Sequence, residues 1–156
     1  MKRFLMILIG VFLLCPALSY AVGTVTGPVV TKATVGQTQR ITLAYTFTAD
    51  AGAAMASATL NPETYKIAGW YLYEVEVDPG STGPTNGAWD FDITDARSYV
   101  VSEARIDDKS STATSIYRFA SSSTGYPMIR GTWTLSIGDN AVNNASVTVY
   151  LTFVSN

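Results

Sequence analysis

Histidine is absent from all 156 residues, and the single cysteine, Cys15, falls near the N-terminus. Without imidazole the chain lacks the usual general base near neutral pH and the commonest metal ligand, and beyond Cys15 it has no thiolate nucleophile. Catalysis would have to rest on carboxylates. Charge is sparse as well: Asp, Glu, Lys and Arg make up 14% of the residues, ten of them basic and twelve acidic. Because the basic residues do not cluster, nothing offers the positive stripe that a phosphate backbone needs, and nucleic acid is discounted as a partner. Beyond the N-terminal segment there is no convincing amphipathic helix. No fixed-period repeat is present either, which argues against solenoids and propellers.

What is present begins with a leader. Lys2 and Arg3 precede an apolar run from Phe4 to Leu14 broken only by Gly10, and Ser19-Tyr20-Ala21 puts small residues where a signal peptidase reads. The layout predicts cleavage after Ala21, with residues 1–21 as signal peptide. A run of eleven apolar residues is about half of the roughly twenty that span a bilayer, so no membrane span is expected after cleavage. Leu14 is not the small residue that precedes a lipoprotein cysteine. The remaining residues 22–156 would form one domain of 135 residues with eight basic against twelve acidic side chains, a net charge of −4. Such a chain is expected to be secreted, periplasmic or at the cell surface. With no cysteine left, it must be held by a continuous apolar core rather than by disulfides.

Period-two alternation dominates that domain. Ile41, Leu43, Tyr45 and Phe47 alternate with Thr42, Ala44, Thr46 and Thr48 in a strong strand. Residues 22–35, rich in Val and Thr and broken at Gly27-Pro28, read as an extended or edge strand, because proline cannot donate to a ladder. Asn61-Pro62-Glu63-Thr64 reads as a turn or one helical turn, with Asn61 as cap and Pro62 in the first position. Residues 69–94 read as a β-hairpin. In its first arm Tyr71, Tyr73, Val75 and Val77 share one face, which is predicted to be core. In its second arm Trp89, Phe91 and Ile93 alternate with Asp90, Asp92 and Thr94. Residues 96–106 read as a strand, residues 107–115 as a loop, residues 116–119 as a short strand and residues 121–126 as another loop. Trp133, Leu135 and Ile137 precede a turn at Gly138-Asp139-Asn140, and Val147, Val149, Leu151 and Phe153 follow it, predicting a C-terminal hairpin. About eight short strands of this kind give an all-β fold, an antiparallel β-sandwich of immunoglobulin-like or jelly-roll type.

Three groups of residues could carry function. The connector of about ten residues between Val77 and Trp89 holds Asp78, Pro79, Gly80, Asn86 and Gly87, whose turn chemistry and length suit a binding loop. Asp90, Asp92 and Asp95, with Asp78 at the other end of the connector, could form a carboxylate pair or an oxygen-ligand calcium site. Alternation alone also explains Asp90 and Asp92, as the solvated face of a half-buried strand. Asp107-Asp108 reads as a solvated turn. Among the aromatics, Tyr71, Tyr73, Trp89 and Trp133 fall on core positions, which leaves Trp70 and Tyr126 as candidate platforms for a sugar ring. No metal or cofactor is required, with calcium the one possibility. Asn144-Ala145-Ser146 has the form of a glycosylation acceptor, incidental behind a bacterial leader.

Two stretches carry a resemblance. Residues 73–93, YEVEVDPGSTGPTNGAWDFDI, and residues 127–153, PMIRGTWTLSIGDNAVNNASVTVYLTF, resemble the small β-sandwich accessory proteins of bacteriophage virions. In that family a D-P-G-x-T-x-P-T connector leads into an acidic alternating strand, and a P-x-x-x-G-x-L-T-L-S-I segment opens the closing hairpin. The resemblance covers about a third of the chain and brings no catalytic residues. It implies a non-enzymatic structural or assembly protein that acts by contact with a protein partner or with itself. The leader adds an extracytoplasmic setting, and residues 22–35 could complete a neighbour's sheet by strand addition. A carbohydrate-binding or adhesin module is the alternative, and a carboxylate hydrolase a third reading.

Overall fold

The computed structural model of the chain describes residues 22–102, 106–107, 109–119 and 125–155. The expected signal segment with Cys15, Asp108, part of the expected strand at 96–106 and most of the expected loop at 121–126 lie outside the described residues. The elements are β1 (Thr24–Val35), β2 (Thr38–Thr48), β3 (Ala58–Leu60), α1 (Pro62–Tyr65), β4 (Tyr71–Pro79), β5 (Asp90–Asp95), β6 (Ser115–Arg118), β7 (Trp133–Gly138) and β8 (Ser146–Val154). They form two antiparallel sheets, β1-β2-β8-β4-β6 and β3-β7-β5, whose inner faces pack together as an all-β sandwich. No helix among the described residues is long and apolar enough to cross a membrane.

After β2, every connection to the next strand changes sheet. Both expected hairpins are therefore replaced by crossings: β4 pairs with β8 and β6, whereas β5 pairs with β7. Likewise β7 and β8 lie in different sheets. Pairing is nested instead, β2 with β8, β3 with β7 and β4 with β6. The innermost level joins β5 to the chain that follows it. There Val101 N–H donates to the Ile93 carbonyl (2.6 Å), Phe91 N–H to Ile106 (3.1 Å) and Lys109 N–H to Trp89 (3.0 Å). The strand expected over residues 96–106 is thus reduced, in its described part, to one isolated bridge, Val100 with Thr94, and single backbone hydrogen bonds along the β5 edge. One long hairpin rolled over on itself in this way is the winding of a jelly roll rather than of an immunoglobulin domain.

Alternation places the core as expected along β2, β5 and β8. Leu43, Phe47, Phe91, Ile93, Val147, Val149, Leu151 and Phe153 are fully buried, with Trp89 beside them. In β4 the expected face is corrected. A register shift between Leu72 and Glu74 makes Tyr73 the extra residue of a bulge, so Leu72, Val75 and Val77 point inward while Tyr71 and Tyr73 are only half-buried. At α1, Asn61 Oδ1 accepts from Glu63 N–H at 3.0 Å, Pro62 opens the turn and Lys66, at φ 58°, ends it.

Candidate functional site

β1 is the outermost strand of the larger sheet and hydrogen-bonds only to β2, through a two-residue turn at Gly36-Gln37. Its other backbone edge faces no strand among the described residues. The larger sheet has five strands and the smaller three, so β1 lies beyond the cover of the second layer and is exposed along most of its length, with Val29 and Val35 at 69% and 62%. A register shift between Thr26 and Val29, at Gly27-Pro28, interrupts the ladder and leaves an unbroken edge over residues 29–35. Lys32 is the one charged residue of the strand, and its register opposite Ile41 turns it to the inner side of the sheet. At the other end, the Gly23 amide donates to the Ala54 carbonyl (3.2 Å) and ties the strand to the loop after β2.

The 78–87 connector is not a free loop. Asp78 Oδ1 accepts from Thr114 Oγ1 (2.6 Å), and the Gly80 amide donates to the Ser146 carbonyl (2.8 Å). Asn86 Oδ1 accepts from Ser111 N–H (3.2 Å), and the Gly87 amide, at φ 67°, donates to Lys109 (2.8 Å). Thr85 Oγ1 accepts from Ala141 N–H (2.7 Å), and Pro84 is buried. Pro79 sits half-buried at the end of β4. The segment is a strap that carries the chain from one sheet to the other, and its turn residues are hydrogen-bonded to neighbouring backbone and to the Thr114 hydroxyl.

The acidic residues separate. Asp95 Oδ1 caps its own turn, accepting from the amides of Arg97 (2.8 Å) and Tyr99 (3.0 Å). Asp90 and Asp92 lie on the outer face of β5, and Asp78 is across the strap on β4. Among the described residues no three or more carboxylates are grouped to hold a metal ion. Asp92 does have a built environment: the buried Ser102 hydroxyl donates to its Oδ1 at 3.3 Å and accepts from Ile93 N–H at 3.2 Å. Burial raises the Asp92 pKa above the ordinary carboxylate value; the Ser102 hydrogen bond opposes that rise, and Asp107, Asp90 and Asp139 add to it.

The two expected platforms lie apart. Trp70 lines a groove between the β1–β2 turn region and α1, with Lys32, Ile41, Tyr65 and Lys66. Tyr126 instead packs against Tyr73 with ring centroids 5.9 Å apart, and the Arg40 guanidinium stands 4.7 Å from the Tyr73 ring centre. Trp89 and Trp133 are core, as alternation requires.

Sequence reasoning missed a cleft of about 340 Å³ at one end of the sandwich. It is lined by Asp95, Ala96 and Arg97 from the turn after β5 and by Met128 and residues 130–133 leading into β7. The two segments are far apart in the chain and meet only because Asp95 pairs with Trp133 at the end of the β5–β7 ladder. The signal available in sequence was Arg130, alone in an uncharged stretch, with Arg97 two residues after Asp95.

No family model matches this chain, and no curated protein or solved structure does so.

Proposed function

We propose that this protein is a non-enzymatic assembly subunit that associates with further copies of itself through the open edge of β1, across residues 29–35. One observation carries the reading: a twelve-residue strand contributes little to the core, is paired on one side only and presents valines to solvent. Unpaired edges of this length are normally blunted by charge, proline or a covering loop, because they template pairing with another chain. Here Gly27-Pro28 interrupts only the first part, and Lys32 is the single charge over residues 29–35. The same strand in a second copy supplies a partner whose one charge is its own Lys32, and a two-fold axis between edges closes the contact. Backbone hydrogen bonds would provide the affinity, with pockets for alternate side chains providing register. The resemblance to virion accessory sandwiches fits a protein that works by contact, and the expected export alone sets that contact outside the cytoplasm.

Light scattering behind size exclusion tests this on the chain without its leader. The expected result is concentration-dependent association, lost in Val29→Lys/Val35→Lys and in a deletion of residues 22–35, with β-sheet circular dichroism retained. A wild-type protein that stays monomeric at high concentration overturns the proposal, as does association unchanged by both variants.

A further inference from the structure

Beyond self-association, the geometry points to a second site: we infer that the cleft between the β5 turn and the approach to β7 binds the acidic groups of a polysaccharide, with Arg97 and Arg130 as the oxyanion-binding pair.

In an acidic chain an arginine has carboxylates to choose from, and the others described here have found partners. Arg118 Nε donates to Glu74 Oε2 at 2.7 Å, and Arg40 lies over Tyr73. Arg97 and Arg130, both exposed, form no ion pair among the described residues, yet both line the same cleft. The one acid lining it is Asp95, whose Oδ1 is already committed to two backbone amides. Arg130 is held in place by its Nε contact to Met128 Sδ at 3.3 Å. A side-chain methyl at Gly131 would meet nothing within 4 Å, so the space above the backbone there is open. Trp133, 3% exposed, supplies an apolar wall.

Guanidinium groups present planar forks that match a carboxylate or sulfate bidentately. A mixed polar and apolar cleft of this volume takes one small unit at a time. Tyr99, on the same turn as Arg97, is 61% exposed, and its ring offers a face to the apolar side of a pyranose. Polyphosphate has no sugar ring for Tyr99 to stack on, whereas an acidic polysaccharide meets two cations and an aromatic face.

Affinity electrophoresis of the leaderless protein tests the assignment, with polygalacturonate, dextran sulfate, polyphosphate or neutral dextran in the gel. Retardation is expected with an acidic polysaccharide and not with dextran. Arg97→Gln and Arg130→Gln should each weaken it roughly tenfold, as for loss of a charge-assisted hydrogen bond, and Arg118→Gln should leave it unchanged. Retardation by polygalacturonate assigns the cleft to carboxylates, and by dextran sulfate alone to sulfates. Failure of both polymers to retard the protein overturns the inference, as does stronger retardation by polyphosphate or an Arg97→Gln/Arg130→Gln double variant that binds as wild type. None of these outcomes depends on β1, so failure here leaves self-association standing.

Discussion

Leu72 and Val75 both face the core of the sandwich without exposure, although three positions separate them and strict alternation would put them on opposite faces. The bulge at Tyr73 absorbs the odd residue and resets the parity of β4. Its consequence is energetic. Leu72→Ala should cost about 2–5 kcal/mol by urea unfolding, as for a buried leucine. Tyr73→Ala removes ring contacts with Tyr126 and Arg40 at a half-buried site and should cost nearer to 1 kcal/mol. The reverse ranking would mean that β4 runs without its bulge.

Tyr45 gives a second expectation. Its side chain is buried in β2 and its hydroxyl forms no aligned hydrogen bond, with the Tyr65 phenol as its polar neighbour. An unmet buried hydroxyl is a liability, so Tyr45→Phe should leave stability unchanged or raise it by up to roughly 2 kcal/mol. A loss of stability would show that the hydroxyl is satisfied.

Alkaline titration reads the same residue differently. Burial first, and Tyr65 second, push the Tyr45 pKa well above the ordinary phenol value of 10.0. The folded state therefore keeps a proton that the unfolded chain gives up, and this contribution to stability is present below pH 10 and lost as pH rises above it. Thermal melts across that range should show a smaller alkaline decline for Tyr45→Phe than for wild type.

Asp92 shifts in the same direction for a carboxyl. Since its folded pKa is raised, the folded state holds the proton more tightly, and the ionised group works against folding at neutral pH. Asp92→Asn should be at least as stable as wild type at pH 7. Its advantage should shrink as the pH falls through the ordinary carboxylate range, where wild-type Asp92 becomes neutral. An advantage independent of pH would detach the effect from ionisation.

Gly23 anchors the start of β1. A side-chain methyl there would collide with the carbonyl oxygens of Thr48 and Ala54, whereas one at Gly131 meets open space. Gly23→Ala should therefore cost about 1–3 kcal/mol and speed amide exchange at the start of β1, with Gly131→Ala as the neutral control. Equal effects at the two sites would show that the anchor is not tight.

Much of the sandwich was legible residue by residue. The buried sets of β2, β5 and β8, the asparagine cap of α1 and the edge character of β1 all follow from side-chain type and spacing. The candidate sites were less so. Asp78, Asn86 and Gly87 carry turn chemistry whether a loop projects or is strapped down, and their bonds to Thr114, Ser111 and Lys109 decide which. Arg97 and Arg130 could not be connected in sequence, since thirty-odd residues separate them and only the β5–β7 ladder brings their segments to one cleft.

By itself, the order of amino acids determined which faces of β2, β5 and β8 are buried, because alternation is a local property and burial of apolar surface acts on each side chain where it stands. It did not determine which strands are neighbours. Every residue but proline offers the same backbone donor and acceptor, so pairing partners carry little signature of their own. Only the folded chain, by rolling one long hairpin across two layers, sent β4 and β5 to opposite sheets, inserted Tyr73 as a bulge and left β1 with an edge uncovered.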